Sequence, residues 1–137
     1  VSYGVAAALQ AAVYQRLAGD AGLAALVGAA IYDVVPAGPV PGTYVSLGPE
    51  DVRDRSDKTG HGAEHRFTVS VVTDAAGFQT AKAAAGAASD ALLGAEFTLS
   101  RGRVVAIEFL AARARRVRAG DVRRIDMTFR ARVEDDI

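Results

Sequence analysis

Few residues in this chain are equipped to do chemistry, and their spacing decides what each can do. His61, Glu64 and His65 carry the four-residue histidine interval that brings two imidazoles onto one face of a helix, where a third ligand completes a zinc site. Gly60 and Gly62 bracket His61, however, and His65 opens an alternating run. In extended chain, residues four apart are separated by ~13 Å, so this spacing predicts no metal site. Ser2, Ser46, Ser56, Ser70, Ser89 and Ser100 supply hydroxyls, but none sits in a Gly-x-Ser-x-Gly elbow. Glu50, Asp51, Asp54 and Asp57 crowd together as acid/base work requires, yet Arg53, Arg55 and Lys58 are interleaved with them, so solvated ion pairing is the expected state. Gly28, Gly38, Gly42 and Gly48 lie among prolines and strands rather than opening a helix, which excludes a phosphate-cradling loop. With no cysteine, thiolate chemistry and disulfides are excluded too. The expectation is a chain without catalysis, metal or cofactor.

The strongest local anomaly is basic. Arg113, Arg115, Arg116, Arg118, Arg123 and Arg124 bracket a turn around Ala119-Gly120-Asp121 and predict a cationic hairpin tip. Such a tip suits phosphate contact, which would make the chain a nucleic-acid-binding module. It equally suits a solvated hairpin end or salt bridges to a neighbouring subunit, where arginine is favoured. No aromatic residue for base stacking lies in this stretch. Across the chain, 16 basic and 16 acidic side chains cancel, so no global field draws it to nucleic acid or an anionic membrane.

The elements that must hold these groups follow from hydrophobic period. At 137 residues and half apolar, the chain is expected to form one domain, 1–137. No run of about 20 apolar residues is present to span a bilayer, and the N-terminus lacks the pattern of a signal peptide. Val5, Ala6, Leu9, Val13 and Leu17 recur at helical spacing, predicting a helix from a Ser2 cap to Ala18. Asp20 caps a second short helix that Gly28 stops, and Ile31 to Val35 reads as extended. Pro36, Pro39 and Pro41 make a loop, and a strand resumes over Thr43–Leu47. From Gly48 to Gly62 charge crowds out apolar residues, which predicts a long mobile loop.

Phe67, Val69 and Val71 then alternate with polar residues as a strand. A helix capped by Asp74 follows, its stripe of Ala81, Ala85, Ala88 and Leu92 small enough to lie close to a sheet. Phe97–Leu99, Val104–Ala112 and Ile125–Val133 predict a closing β-meander. The fold class expected is α+β: an antiparallel or mixed sheet with two main helices on one face. An uncovered sheet edge in such a fold is a hazard that assembly into a closed ring removes.

This order of elements resembles the tail-terminator and tail-completion family of tailed phages. The resemblance covers nearly the whole chain and rests on the first helix, then Ile31-Tyr32-Asp33-Val34-Val35-Pro36, then Thr43-Tyr44-Val45-Ser46-Leu47-Gly48. It continues through the charged segment into His65-Arg66-Phe67-Thr68-Val69-Ser70-Val71, the alanine-rich helix and the terminal strands. Ser2-Tyr3-Gly4-Val5 and Tyr44 to Gly48 look like members carried by gene transfer agents of the Rhodobacter type.

The resemblance implies a homo-hexameric ring at the tail–neck junction of a phage-like particle assembled in the bacterial cytoplasm. Such a ring caps the tail tube, stops its polymerisation and meets the head-tail connector proteins, while DNA passes through its lumen without specific binding. In that frame Glu50, Asp51, Arg53, Asp54, Arg55, Asp57 and Lys58 are expected to order against the tube or neighbouring subunits. Arg113, Arg115, Arg116, Arg118, Arg123 and Arg124 are expected at a subunit or connector interface. A head-completion adaptor of the neck is the alternative within the same class.

Overall fold

The computed structural model describes residues 3–36, 42–56, 62–94, 96–117 and 122–136. Helix α1 spans Ala6–Ala18 and α2 Ala21–Val27, followed by strands β1 (Ile31–Tyr32), β2 (Thr43–Asp54) and β3 (Gly62–Thr73). Helix α3 covers Gln79–Leu93, and β4 (Arg103–Val117) and β5 (Val122–Glu134) complete the chain. The strands form one mixed sheet in the order β1-β2-β3-β5-β4, parallel only between β1 and β2. The fold is the expected α+β arrangement.

The two-residue period of β5 sets the layers. Ile125, Met127, Phe129, Ala131 and Val133 all turn inward, as their alternation with charged residues requires. Opposite them on β3 stand Val71, Val69, Phe67, His65 and Ala63, so both central strands bury the same face. The helices cover that face: α3 packs on β3, β5 and β4, while α1 and α2 reach α3 and the β1–β2 side. The buried stripe of α3 is Ala81, Ala84, Ala85, Ala88 and Ala91, short side chains that let the helix approach the sheet, with Leu92 as its one long anchor. Phe129 lies at the centre, its ring stacked on Phe67 at 5.7 Å and met edge-on by Phe109 at 5.8 Å. The other face is open and polar.

Several expectations change. Gly48–Asp54 is strand, not loop: β2 continues past a bulge between Leu47 and Glu50, and Glu50 to Asp54 pair with Phe67 to Ala63. The cause is non-local. A polar stretch that cannot order itself is ordered by a neighbour offering a full ladder, and Val52 gains partial burial against the core. Phe97–Leu99 forms no strand, because Phe97 and Leu99 pack on the core beside α1, where the Arg16 guanidinium sits 6.0 Å from the Phe97 ring. The closing meander therefore has two strands, with β5 inserted between β3 and β4.

Helix α1 begins at Ala6 without a side-chain cap, and the expected Ser2 cap lies outside the described residues. Asp74 does not cap α3; its carboxylate accepts from the Gly42 amide at 3.0 Å and anchors the start of β2 instead. Asp20 does cap α2, accepting from the Leu23 amide at 2.8 Å, and Gly28 ends that helix at φ 61°. Extended structure after α2 is limited to Ile31–Tyr32.

Candidate functional site

Antiparallel pairing puts directly opposed residues on the same face, so register alone assigns every charged side chain. On β2, Glu50 faces the helices, and its Oε2 lies 3.1 Å from Nδ1 of the buried His65. Asp51 and Arg53 stand on the open face opposite Arg66 and Glu64. Asp54 ends the strand with its Oδ1 accepting from the Ser56 amide at 2.9 Å and hydroxyl at 2.7 Å. These bonds to Ser56 hold the Asp54 carboxyl below its ordinary range. The Arg55 amide donates to the Gly62 carbonyl and its Nε lies 3.6 Å from Glu64 Oε1. Glu64 also accepts from Arg66 Nε at 2.9 Å, and that bond keeps its carboxyl low. Asp57, Lys58 and His61 lie outside the described residues. The expected acidic-basic loop is thus, where described, the end of a hairpin in which Glu50 meets His65, Arg55 meets Glu64 and Asp54 bonds to Ser56.

His65 and Glu64 are neighbours on one strand and point to opposite faces, so they cannot converge on one ion. Buried among the core residues and bonded to Glu50 through Nδ1, His65 serves the packing of β3, with Nε2 left without a partner among the described residues.

The arginines do not form one cationic tip. Arg115 opposes Arg124 on the open face, and Arg116 opposes Arg123 on the helix face. Asp126 bridges the first pair and offsets one of its two charges: Arg124 Nε donates to its Oδ1 at 2.8 Å and Arg115 Nη2 lies 3.5 Å from its Oδ2. Ser70 Oγ, fully buried beneath them, donates to the same Oδ1 at 2.6 Å. Burial pushes the Asp126 carboxyl up, but the Ser70 and Arg124 hydrogen bonds and the charges of Arg124 and Arg115 outweigh it, so the group ionises below its ordinary value. Arg123 turns inward over Phe78, 5.7 Å from the ring, and donates to the Ala75 carbonyl at 3.2 Å. Arg113 and Arg116 are exposed and make no ion pair with another described residue. Arg118 lies outside the described residues.

Two surfaces escaped the sequence reading. One is the β4 edge, fifteen residues long with almost every side chain at least partly exposed. Beside it runs an apolar groove of about 510 Å³ between α3 and the β4–β5 hairpin, lined by Lys82, Gly86, Leu93, Phe109, Ala112 and Ala114 among others. Its signal was present in the alternation of Ala112 and Ala114 with Arg113 and Arg115, small apolar residues on the side where a covered strand carries large ones. The second is a cleft of about 640 Å³ between α1 and residues 96–100, with Gln15, Arg16, Asp20 and Glu96 at its walls.

A helix-backed sheet with charged hairpin ends, an uncovered edge and an open apolar groove has the surfaces of a subunit that packs against other chains. The chain belongs to the family of tail completion protein gp17, whose model matches residues 11–134, and that places it among structural proteins of the phage tail and neck. A solved chain from the virion of a native gene transfer agent particle is 71% identical, with a TM-score of 0.91, over 97% of this chain and 99% of that one. No curated protein is significantly similar in sequence.

Proposed function

We propose that this chain closes the tail of a phage-like particle as a hexameric ring: it caps the finished tube, stops its growth and joins it to the head-side connector, without catalysis of its own. The observation that carries the reading is the placement of contact surfaces on one sheet. The β2–β3 hairpin end, with Asp51, Arg53, Asp54 and Arg55, lies at one end of the strands, and the Arg113–Arg124 hairpin lies at the other. Edges β1 and β4 lie at the two sides. A ring subunit needs such a division, with neighbours at the sides, the tube at one end and the connector at the other.

In this reading Glu50, Asp51, Arg53, Asp54 and Arg55, with Asp57 and Lys58, meet the tube. Arg113, Arg115, Arg116, Arg123 and Arg124, with Arg118, meet a neighbouring subunit or the connector. DNA passes through the lumen without specific contacts, which suits a chain whose formal charge is zero. The ring sits at the tail–neck junction of a particle assembled in the bacterial cytoplasm. Six weak contacts presented together raise the effective concentration of each, so individual interfaces need not be strong.

The test is a particle made without this chain. Negative-stain microscopy should show tails of abnormal length, or filled heads and tails that remain apart. Normal tails joined to filled heads overturn the proposal. Copy number separates the ring from a head-completion adaptor, since the adaptor follows the twelve-fold portal and the terminator the six-fold tail.

A further inference from the structure

The open groove has a complement on the same molecule. After β1 the chain bends through Asp33, Val34 and Val35, and Val34 is 81% exposed, the most exposed large apolar side chain described. This apolar knob stands at the β1 edge, whereas the groove stands at the β4 edge, so the two occupy opposite sides of one sheet. The end of β1, from which the knob projects, also lies in the rows that cross the groove. Ile31, Val45, Val71, Ile125 and Ala114 form a single row across the five strands, and Tyr32, Ser46, Ser70, Asp126 and Arg113 form the next. Val34 follows Tyr32 by two residues, and Ala112 follows Arg113 by one in the same direction, because β4 runs opposite to β1. Charge matches as well: Asp33, exposed and accepting from Gln10 Nε2 through its Oδ1, adjoins the knob, and exposed Lys82, with no ion pair among the described residues, stands on the groove rim.

We infer that the Asp33–Val35 segment of one copy docks in the α3–β4 groove of the next copy, with Asp33 facing Lys82. This rests on the ring reading and supplies its contact. The contact is heterologous, joining two different patches, and such a contact closes into a ring only where successive copies turn without climbing. With the end of β1 and the groove in neighbouring rows, the contact asks for little displacement along the strands, whereas a large offset would favour an open helix. Docking removes Val34 and the exposed Phe109 and Leu93 from water together.

The absence of cysteine makes the contact directly testable. Particles carrying V34C and A112C together, oxidised and run on a non-reducing gel, should give a ladder of this chain up to six copies, while V34C or A112C alone gives none. Gly86→Leu tests the same point without threatening the fold: a Cβ at Gly86 meets nothing within 4 Å, and leucine is the better helix former. Purified Gly86→Leu protein should melt no lower than the parent, yet yield of completed particles should fall about tenfold or more, on the order expected for a blocked interface anchor. D33K and K82D should each lower that yield, and the double variant D33K/K82D should restore it. Six copies per neck without cross-links, or Gly86→Leu completing tails like the parent, overturns the docking and leaves the ring standing. A copy number that no six-fold ring allows overturns both.

Discussion

Phe129 and Phe109 touch each other but should answer truncation in opposite ways. Phe129 is fully buried between Phe67 and Phe109, so Phe129→Ala removes a core ring and leaves a cavity facing α3, whose buried stripe is alanine apart from Leu92 and has little volume to fill it. Such truncations cost about 3–5 kcal/mol, a large share of the ~5–15 kcal/mol that holds a domain together. Phe109 is 45% exposed. Complete burial of a phenylalanine is worth ~1.5–3 kcal/mol, and about half of that is realised here. Adding the edge-on contact with Phe129, Phe109→Ala should cost ~1–2 kcal/mol. Urea unfolding of the two single variants and the double variant measures both values and their coupling, about 0.5–1.5 kcal/mol for an aromatic pair. Phe109→Ala should in turn lower particle completion more than its small stability loss explains. The reasoning fails if Phe109→Ala destabilises as much as Phe129→Ala, because β4 would then be an integral wall of the core and not an edge awaiting a partner.

Two further changes probe the local chemistry. The folded-state ionisation of Asp126 lies below that of an unfolded aspartate, so its contribution is complete above about pH 4 and is lost as pH falls through the lower folded value. Asp126→Asn should therefore unfold at lower urea than the parent at neutral pH, with the difference shrinking as pH falls below the ordinary aspartate range; an unchanged gap would show that the Ser70–Asp126–Arg124 network contributes nothing through charge. Gly102 immediately precedes β4 with φ 74°, and a Cβ there would meet the Glu134 backbone oxygen at 2.5 Å. Gly102→Ala should cost about 1–3 kcal/mol by urea unfolding, and a neutral substitution would mean that the turn relaxes freely.

What the sequence revealed depended on whether its signal was local. The alternation in Ile125–Val133 fixed the buried face of β5 without any knowledge of its neighbours, and Asp20 with Gly28 marked both ends of α2. Asp51 to Asp54 gave the opposite answer, because strand formation there depends on the partner ladder from Arg66 to Ala63 in the next strand, which the composition of the segment itself does not show. Phe97 and Leu99 failed for a related reason. Their period fits a strand, but with β5 between β3 and β4 their burial comes from the side of α1, not from pairing. The arginine cluster was read as one tip because chain proximity hides the face; once Arg115 is set opposite Arg124 and Arg116 opposite Arg123, the same residues divide between two sides of the sheet. The relation of the knob to the groove could not be read from the sequence, since the two are connected through registers across all five strands.

The β4 edge itself explains why docking should proceed through side chains and not by strand addition. A long uncovered strand normally invites any extended chain to pair with it. Here the register slips between Val104 and Ala106 and again between Phe109 and Ala111, and each bulge breaks the even spacing that an incoming ladder needs. Arg103, Arg113, Arg115 and Arg116 add charge along the same strand. Both devices discourage indiscriminate backbone pairing, and neither obstructs the groove, whose wall is built from Phe109, Ala112 and Ala114 on the helix side. An edge protected in this way remains safe in a free monomer, yet it still offers apolar surface to a partner that arrives with a matching knob and charge. In the proposed docking, selectivity comes from shape and from Lys82, and growth stops once a closed ring has no free groove left.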